Sequence, residues 1–402
     1  MRSGFMSKSW KTVLVLVMST VMLNSSIPAA WASDAAESSD AAEASDIAES
    51  SDIVESSDIA ESSDIAESSD IAESSDIAES SDRGLLLSWN DNAPALARLK
   101  EYVEDVTNED SPNYIPPEDR IAVSDMDGTL YAELAPTYIE WCMYAYRVNE
   151  DSSFLPDQDE KDVAEQIVEV MKTGVIPENL ERDHSIQNAR VYAGMTVDGY
   201  REYVREFCKR PVVGFDNMTF KEAFYKPMIE VVNYLNENGF TVYICSGTDR
   251  IFCRELTDGV LPITENHVIG MDVMLKARGQ GSTDGLDYVY KEDDKVVRTD
   301  ELLIKNVKMN KVSLLARELG KKPVLSFGNS TGDTSMAVYV TSDNPYRSEA
   351  FMLVADDDVR DYGNPEKAEE LRNKWEEYGW TVISMKNDFS TIYGEDVKRT
   401  SK

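Results

Sequence analysis

The chain has 402 residues, with 75 acidic against 40 basic side chains and a formal charge of −35. That balance argues against nucleic acid and against docking on anionic lipid, since both need stripes of Lys and Arg. Its two histidines, His184 and His267, lie far apart with no third partner, which argues against histidine phosphatase, zinc protease and serine-triad chemistry.

Part of the acidity is local: residues 33–82 carry −17 and the first 32 carry +3, leaving −21 for the rest. The four cysteines, Cys142, Cys208, Cys245 and Cys253, show no zinc spacing and are too few for a disulfide framework. A single Cys142–Cys208 pairing in an exported chain stays open beside buried thiols.

Residues 1–32 have the pattern of an export signal. Arg2, Lys8 and Lys11 precede an apolar run of 12 residues, and Ala30-Trp31-Ala32 fits a cleavage site, predicting a cut after Ala32. The run is too short to span a bilayer comfortably. A secreted or periplasmic protein is expected, with no stable membrane insertion once the signal is removed. From residue 33 to 80 a six-residue unit, mostly Ser-Asp-Ile-Ala-Glu-Ser, repeats eight times. Each copy has two negative charges and at most one sizeable apolar side chain, so residues 33–82 predict a solvated, self-repelling linker.

Folded sequence is expected from residue 83 onward. A helix over 93–106, with Ser88 as its cap, puts Leu96, Leu99, Tyr102, Val103 and Val106 on one face. The run Ile121-Ala122-Val123 predicts a buried strand that delivers Asp125-Met126-Asp127-Gly128-Thr129 into a turn. Residues 131–226 predict a mostly helical insertion, with helices over 135–147, 160–172 and 197–208. A helix over 227–238 leads to a strand over 240–245, and the glycines of 262–303 suggest a β-rich flap. Further strands are expected over 323–327, 350–354 and 381–385, with a helix over 308–319. Strands alternating with helices predict an α/β fold with a parallel sheet covered on both faces, whose ligands bind at the carboxyl ends of the strands.

The residues expected there form a set. Asp125 and Asp127 follow the first strand, Ser246-Gly247-Thr248 the second, and Gly328-Asn329-Ser330-Thr331-Gly332-Asp333 the third, with Lys308 opening the helix between the last two. A carboxylate can approach an anionic phosphate only beside a cation such as magnesium and a lysine, and hydroxyl and amide groups can hold the phosphoryl oxygens. A second carboxylate can protonate the leaving alcohol.

This ordering resembles the haloacid dehalogenase (HAD) superfamily, within it the phosphoserine-phosphatase-like phosphohydrolases, over about residues 88–393. The resemblance implies a Rossmann-like core over 83–130 and 227–402 and a helical cap over 131–226. It implies Asp125 as the nucleophile, Asp127 as acid and base, Ser246 and the Gly247 amide on the phosphoryl oxygens, and Lys308 neutralising charge. Magnesium would be held by Asp125, the Asp127 carbonyl and the fourth motif. That motif usually leads with Asp where this chain has Asn329, so Asn329 and Asp333 both stand as ligand candidates. Lys311 and Lys305 are also available, and Lys308 is preferred for its distance from Gly320. Arg182, Arg190, Arg201, Arg205 and Arg250 are further candidates for a substrate anion.

The expectation is an exported, Mg2+-dependent phosphomonoesterase acting on a small phosphorylated substrate. The alternatives are a phosphomutase or phosphotransferase with the same motifs, and a non-catalytic binding protein on the same fold.

Overall fold

The computed structural model describes residues 85–400. The predicted signal and acidic repeats, 1–32 and 33–82, lie outside the described residues.

Seven strands build the main sheet: β1 (Ile121–Ser124), β3 (Thr241–Asp249), β4 (Val268–Ala277), β5 (Val296–Ile304), β6 (Leu325–Gly328), β7 (Glu349–Val354) and β8 (Thr381–Ser384). A small antiparallel pair, β2 (Phe215–Asp216) with β9 (Lys398–Arg399), lies apart from it. The main order is β5-β4-β3-β1-β6-β7-β8, and all neighbours are parallel except β4 and β5. The molecule is therefore an α/β protein with a Rossmann-like sheet, and β1 lies inside it, Ala122 pairing with both Val242 and Leu325.

These strands read as continuous apolar runs because both of their faces are buried. In β7, Phe351 and Leu353 join one core while Ala350, Met352 and Val354 join another on the opposite face. In β1, Ala122 and Val123 divide in the same way. Helices supply the cover: Pro94–Thr107 and Lys226–Glu237 pack on the first face, Met309–Leu319 and Thr334–Thr341 on the second. Helix Pro94–Thr107 buries all five of its predicted apolar residues.

Several local expectations are corrected. Ser88 does not cap the first helix: Pro94 opens it, and Ser88 bonds the Glu230 carboxylate through its amide and hydroxyl. Between 131 and 226 there are four helices, Ile139–Asn149, Gln158–Thr173, Leu180–Val191 and Val197–Cys208, and the third lacks the clear apolar stripe that would have announced it. The first of them starts at Ile139, beyond Pro136, and not at 135. The flap is the antiparallel hairpin β4–β5.

Strand β3 runs on through Ser246-Gly247-Thr248. Cys245 pairs with Ile269 and Asp249 with Met271, so four steps on β3 face two on β4 and the intervening residues bulge out of the ladder.

Behind that bulge lies a buried polar layer joining the helical segment to the sheet. Arg298 on β5 bonds Asp249 at 2.8 Å and stacks over the Tyr200 ring at 3.9 Å. The Asp249 amide donates to Glu140 at 3.0 Å, and Asn188 donates to the same Glu140 oxygen at 3.2 Å. His184 is packed between Trp141 and Tyr144, where burial pushes its imidazole well below the ordinary range and keeps it neutral. The other histidine, His267, stacks on Tyr243. The four cysteines are all buried.

Two expected outcomes follow from this layer. Arg298→Met leaves Asp249 charged, buried and without its cation, and urea denaturation is expected to show a loss of about 3–5 kcal/mol. Burial lifts the Glu140 carboxyl from 4.5 to about 7, so its folded form holds a proton that the unfolded form releases. That contribution is complete below the unfolded value and fades as pH rises through the folded one. Glu140→Gln should therefore gain stability relative to wild type between about pH 5 and 8, by up to about 3 kcal/mol, in paired thermal or urea titrations.

Candidate active site

Strand β1 ends at Ser124, and the next turn carries both carboxylates of the first motif. The turn needs glycine at 128 on two counts. Gly128 has φ of 79°, and a Cβ there would stand 1.9 Å from Asn329 Nδ2 and 2.0 Å from Glu133 Oε2. The absence of that side chain lets the first and fourth motifs touch.

Asp125 and Asp127 have different partners. Asp125 Oδ1 accepts from Lys311 Nζ at 2.5 Å, and the same ammonium donates to Asp333 Oδ1 at 2.6 Å. Asp127 Oδ2 accepts from Thr248 Oγ1 at 2.8 Å and from Ser246 Oγ at 3.5 Å, while its Oδ1 is buried with no hydrogen-bond partner. Burial, followed by the charge of Asp333, pushes the Asp125 carboxyl well up, and Lys311 pulls it back. Burial also raises Asp127, against the Thr248 hydrogen bond. Burial alone would discharge Lys311, but Asp125 and Asp333 outweigh it and hold the ammonium charged.

The lysine at the centre is therefore Lys311 and not Lys308, which is a correction. Lys308 is the N-cap of helix Met309–Leu319, exposed, with φ of 53°, and its amide is held by the Gly332 carbonyl. Lys311 is the third residue of the helix and is buried at 2% exposure.

In the fourth motif Asp333 Oδ2 is engaged by the loop itself. It accepts from the amides of Asn329 at 3.1 Å and Ser330 at 3.0 Å and from the Ser330 hydroxyl at 3.1 Å. Asn329 gives its amide nitrogen to Glu133, while its Oδ1 is buried with no hydrogen-bond partner. Glu133, half-buried, is lifted to about 7 by burial.

Among the described residues no group of three or more His, Cys, Asp or Glu is arranged to hold a metal ion. A magnesium ion does not need one, since it keeps several waters and takes one or two carboxylates with other oxygens. Asp125, the unsatisfied Asn329 Oδ1 and, with less capacity left over, Asp333 make an all-oxygen set that fits it. The Asp127 carbonyl stands in the same turn.

The second motif lies on the bulge of β3. Ser246 Oγ accepts from the Thr248 amide at 3.1 Å, and the Ser246 carbonyl accepts from Asn306 at 2.9 Å. The arginines proposed from sequence go elsewhere. Arg201 and Arg205 bond Glu255, Arg250 bonds Asp272 and Glu318, and Arg182 and Arg190 are exposed. Sequence reasoning missed Glu133 and Glu140, whose only signal was an acidic residue within a turn or helix of the first motif. A cleft of about 560 Å³ lined by Arg98, Arg347, Tyr378 and Trp380 lies at the starts of β7 and β8, at the opposite edge of the sheet from the motifs.

No family model and no curated protein matches the chain. Among solved structures it is similar to a conserved protein of unknown function from Anaerococcus prevotii, at 12% identity and TM-score 0.46, over 77% of this chain and 97% of that one. It is also similar to a phosphoserine phosphohydrolase-like protein from Francisella tularensis, at 14% identity and TM-score 0.36, over 66% and 94%. A third is a cytosolic 5′-nucleotidase bound to cytidine, at 13% identity and TM-score 0.42, over 75% and 89%. The sheet is nearly all parallel, with Asp125 after an inner strand and Ser246, Thr248, Lys311 and Asp333 gathered about the two carboxylates of its turn. The architecture is a Rossmann-like α/β sheet with a helical segment inserted after β1.

Proposed function

We propose that this chain is an exported, magnesium-dependent phosphomonoesterase that hydrolyses a small phosphorylated substrate through an aspartyl-phosphate. The observation that carries the reading is the division of labour between the paired carboxylates. Asp125 is tied to an ammonium, while Asp127, two residues on, is held by hydroxyls.

In the first step an Asp125 carboxylate oxygen bonds phosphorus, and the bond from phosphorus to the ester oxygen breaks. The proton on Asp127 passes to the departing alkoxide, so an alcohol leaves and Asp127 becomes a carboxylate. In the second step Asp127 takes a proton from water, the water oxygen bonds phosphorus, and Asp125 is released with inorganic phosphate. Burial favours the protonated form of Asp127 that the first step needs. Ser246 Oγ and the Gly247 amide serve the phosphoryl oxygens, and Lys311 holds Asp125 in place. Asp125, the Asp127 carbonyl, Asn329 and Asp333 would hold magnesium, which would supply positive charge to offset that of the phosphoryl group. Asn329 is the better of the two fourth-motif side chains, because its Oδ1 is unsatisfied whereas Asp333 is already engaged by three donors and Lys311. The helices of 139–208 serve as a cap that excludes water and selects the alcohol. The N-terminal signal pattern supports export.

Protein beginning at Ser33, with p-nitrophenyl phosphate and magnesium, is expected to release phosphate and to stop on addition of EDTA. Asp125→Asn should lower turnover by about three orders of magnitude or more, with an unchanged melting curve. Silence of the wild type on a broad phosphomonoester panel would overturn the reading. Lys311→Met should lower kcat by about 100-fold or more, whereas Lys308→Gln should stay within about twofold of wild type. The reverse pattern would return the role to Lys308.

A further inference from the structure

Residues 305–307, which follow β5, wrap the bulge that carries Ser246 and Gly247. Asn306 donates to the Ser246 carbonyl at 2.9 Å. A Cβ added at Gly247 would stand 3.1 Å from Val307 Cγ1 and 3.7 Å from both Lys305 Cε and Nζ, so the lysine lies alongside the space that glycine leaves open. Lys305 is half-buried, and among the described residues no carboxylate forms an ion pair with it. Lys311, by contrast, is bonded to two.

The Lys305 ammonium stands on the Gly247 side of the bulge, beside the strand that carries Ser246. The charge around a phosphoryl group calls for such a cation. A phosphate dianion entering here meets Asp125, Asp127 and Asp333, against a Lys311 already committed to two of them. Among the described residues Arg250 and Arg298, which flank the second motif, are paired with carboxylates, whereas Lys305 is not.

We propose that Lys305 is a phosphoryl-binding residue, its ammonium taking a non-bridging phosphoryl oxygen beside Ser246 Oγ and the Gly247 amide. The inference rests on the phosphatase reading above and adds a second cation to it. Gly247 then has two duties: its amide faces the phosphoryl group, and its missing side chain leaves the lysine room to reach it.

The test uses protein beginning at Ser33, as wild type, Lys305→Gln and Lys305→Arg, with magnesium. Inorganic phosphate is the probe, its affinity read by calorimetry and as a competitive inhibition constant against p-nitrophenyl phosphate. Lys305→Gln should weaken phosphate by about tenfold or more and raise KM more than it lowers kcat, and Lys305→Arg should recover most of the loss. A Lys305→Gln protein that melts like wild type and binds phosphate within twofold of it overturns this inference while leaving the phosphatase reading intact. Loss in Lys305→Gln that Lys305→Arg matches in full, with kcat falling and KM fixed, also overturns it, because the residue then acts on the fold of the bulge. A wild type that neither hydrolyses the ester nor binds phosphate overturns both readings.

Discussion

One ammonium holds the site together. Lys311 reaches from the first turn of helix Met309–Leu319 to Asp125 and Asp333, which follow the ends of two adjacent parallel strands, β1 and β6. Two buried carboxylates that share one ammonium would repel one another without it, and burial adds a desolvation cost to each. With the lysine between them the cluster becomes one anion shared by three side chains. Every other feature of the site is arranged around that point. The glycine at 128 brings Asn329 close, the fourth-motif loop folds its amides onto Asp333, and the bulge of β3 turns Ser246 and Thr248 toward Asp127.

The second layer protects this arrangement from the side. The Arg298–Asp249–Glu140–Asn188 chain ties the edge hairpin, the end of β3 and two helices of the inserted segment into one buried polar unit. Such networks are costly to assemble, and the bonds among these four side chains are stronger for being buried. Here the tie lies immediately after Ser246-Gly247-Thr248, so the bulge is anchored at its far end.

Much of the fold was legible because its strands are buried on both faces and its helices begin and end at strong markers. The runs before Asp125, Ser246 and Gly328 announced themselves as apolar stretches, and Gly239 and Gly320 marked helix ends with φ of 76° and 65°. The lysine that meets Asp125 was not legible. Lys308 and Lys311 differ by three residues, close to one helical turn, and distance from Gly320 could not separate them. What does separate them is the cap: Lys308 takes the positive-φ position outside the helix, while Lys311 is the third residue within it. The Arg298–Asp249 pair was invisible for another reason. Its partners belong to strands β5 and β3, which are not neighbours in the sheet, so no spacing along the chain encodes their meeting.

The inner position of β1 has a consequence for the order in which the molecule is made. Its ladder partners are Thr241 to Ile244 on one side and Leu325 to Phe327 on the other, all of them much later in the chain. The strand that carries Asp125 emerges first from the ribosome among the strands of the sheet and is completed only when β6 arrives. Local helices can form early, but closing such long loops before any contact rewards them slows assembly. Asp125 is thus written near the beginning of the folded sequence, while the residues that surround it come from much later in the chain.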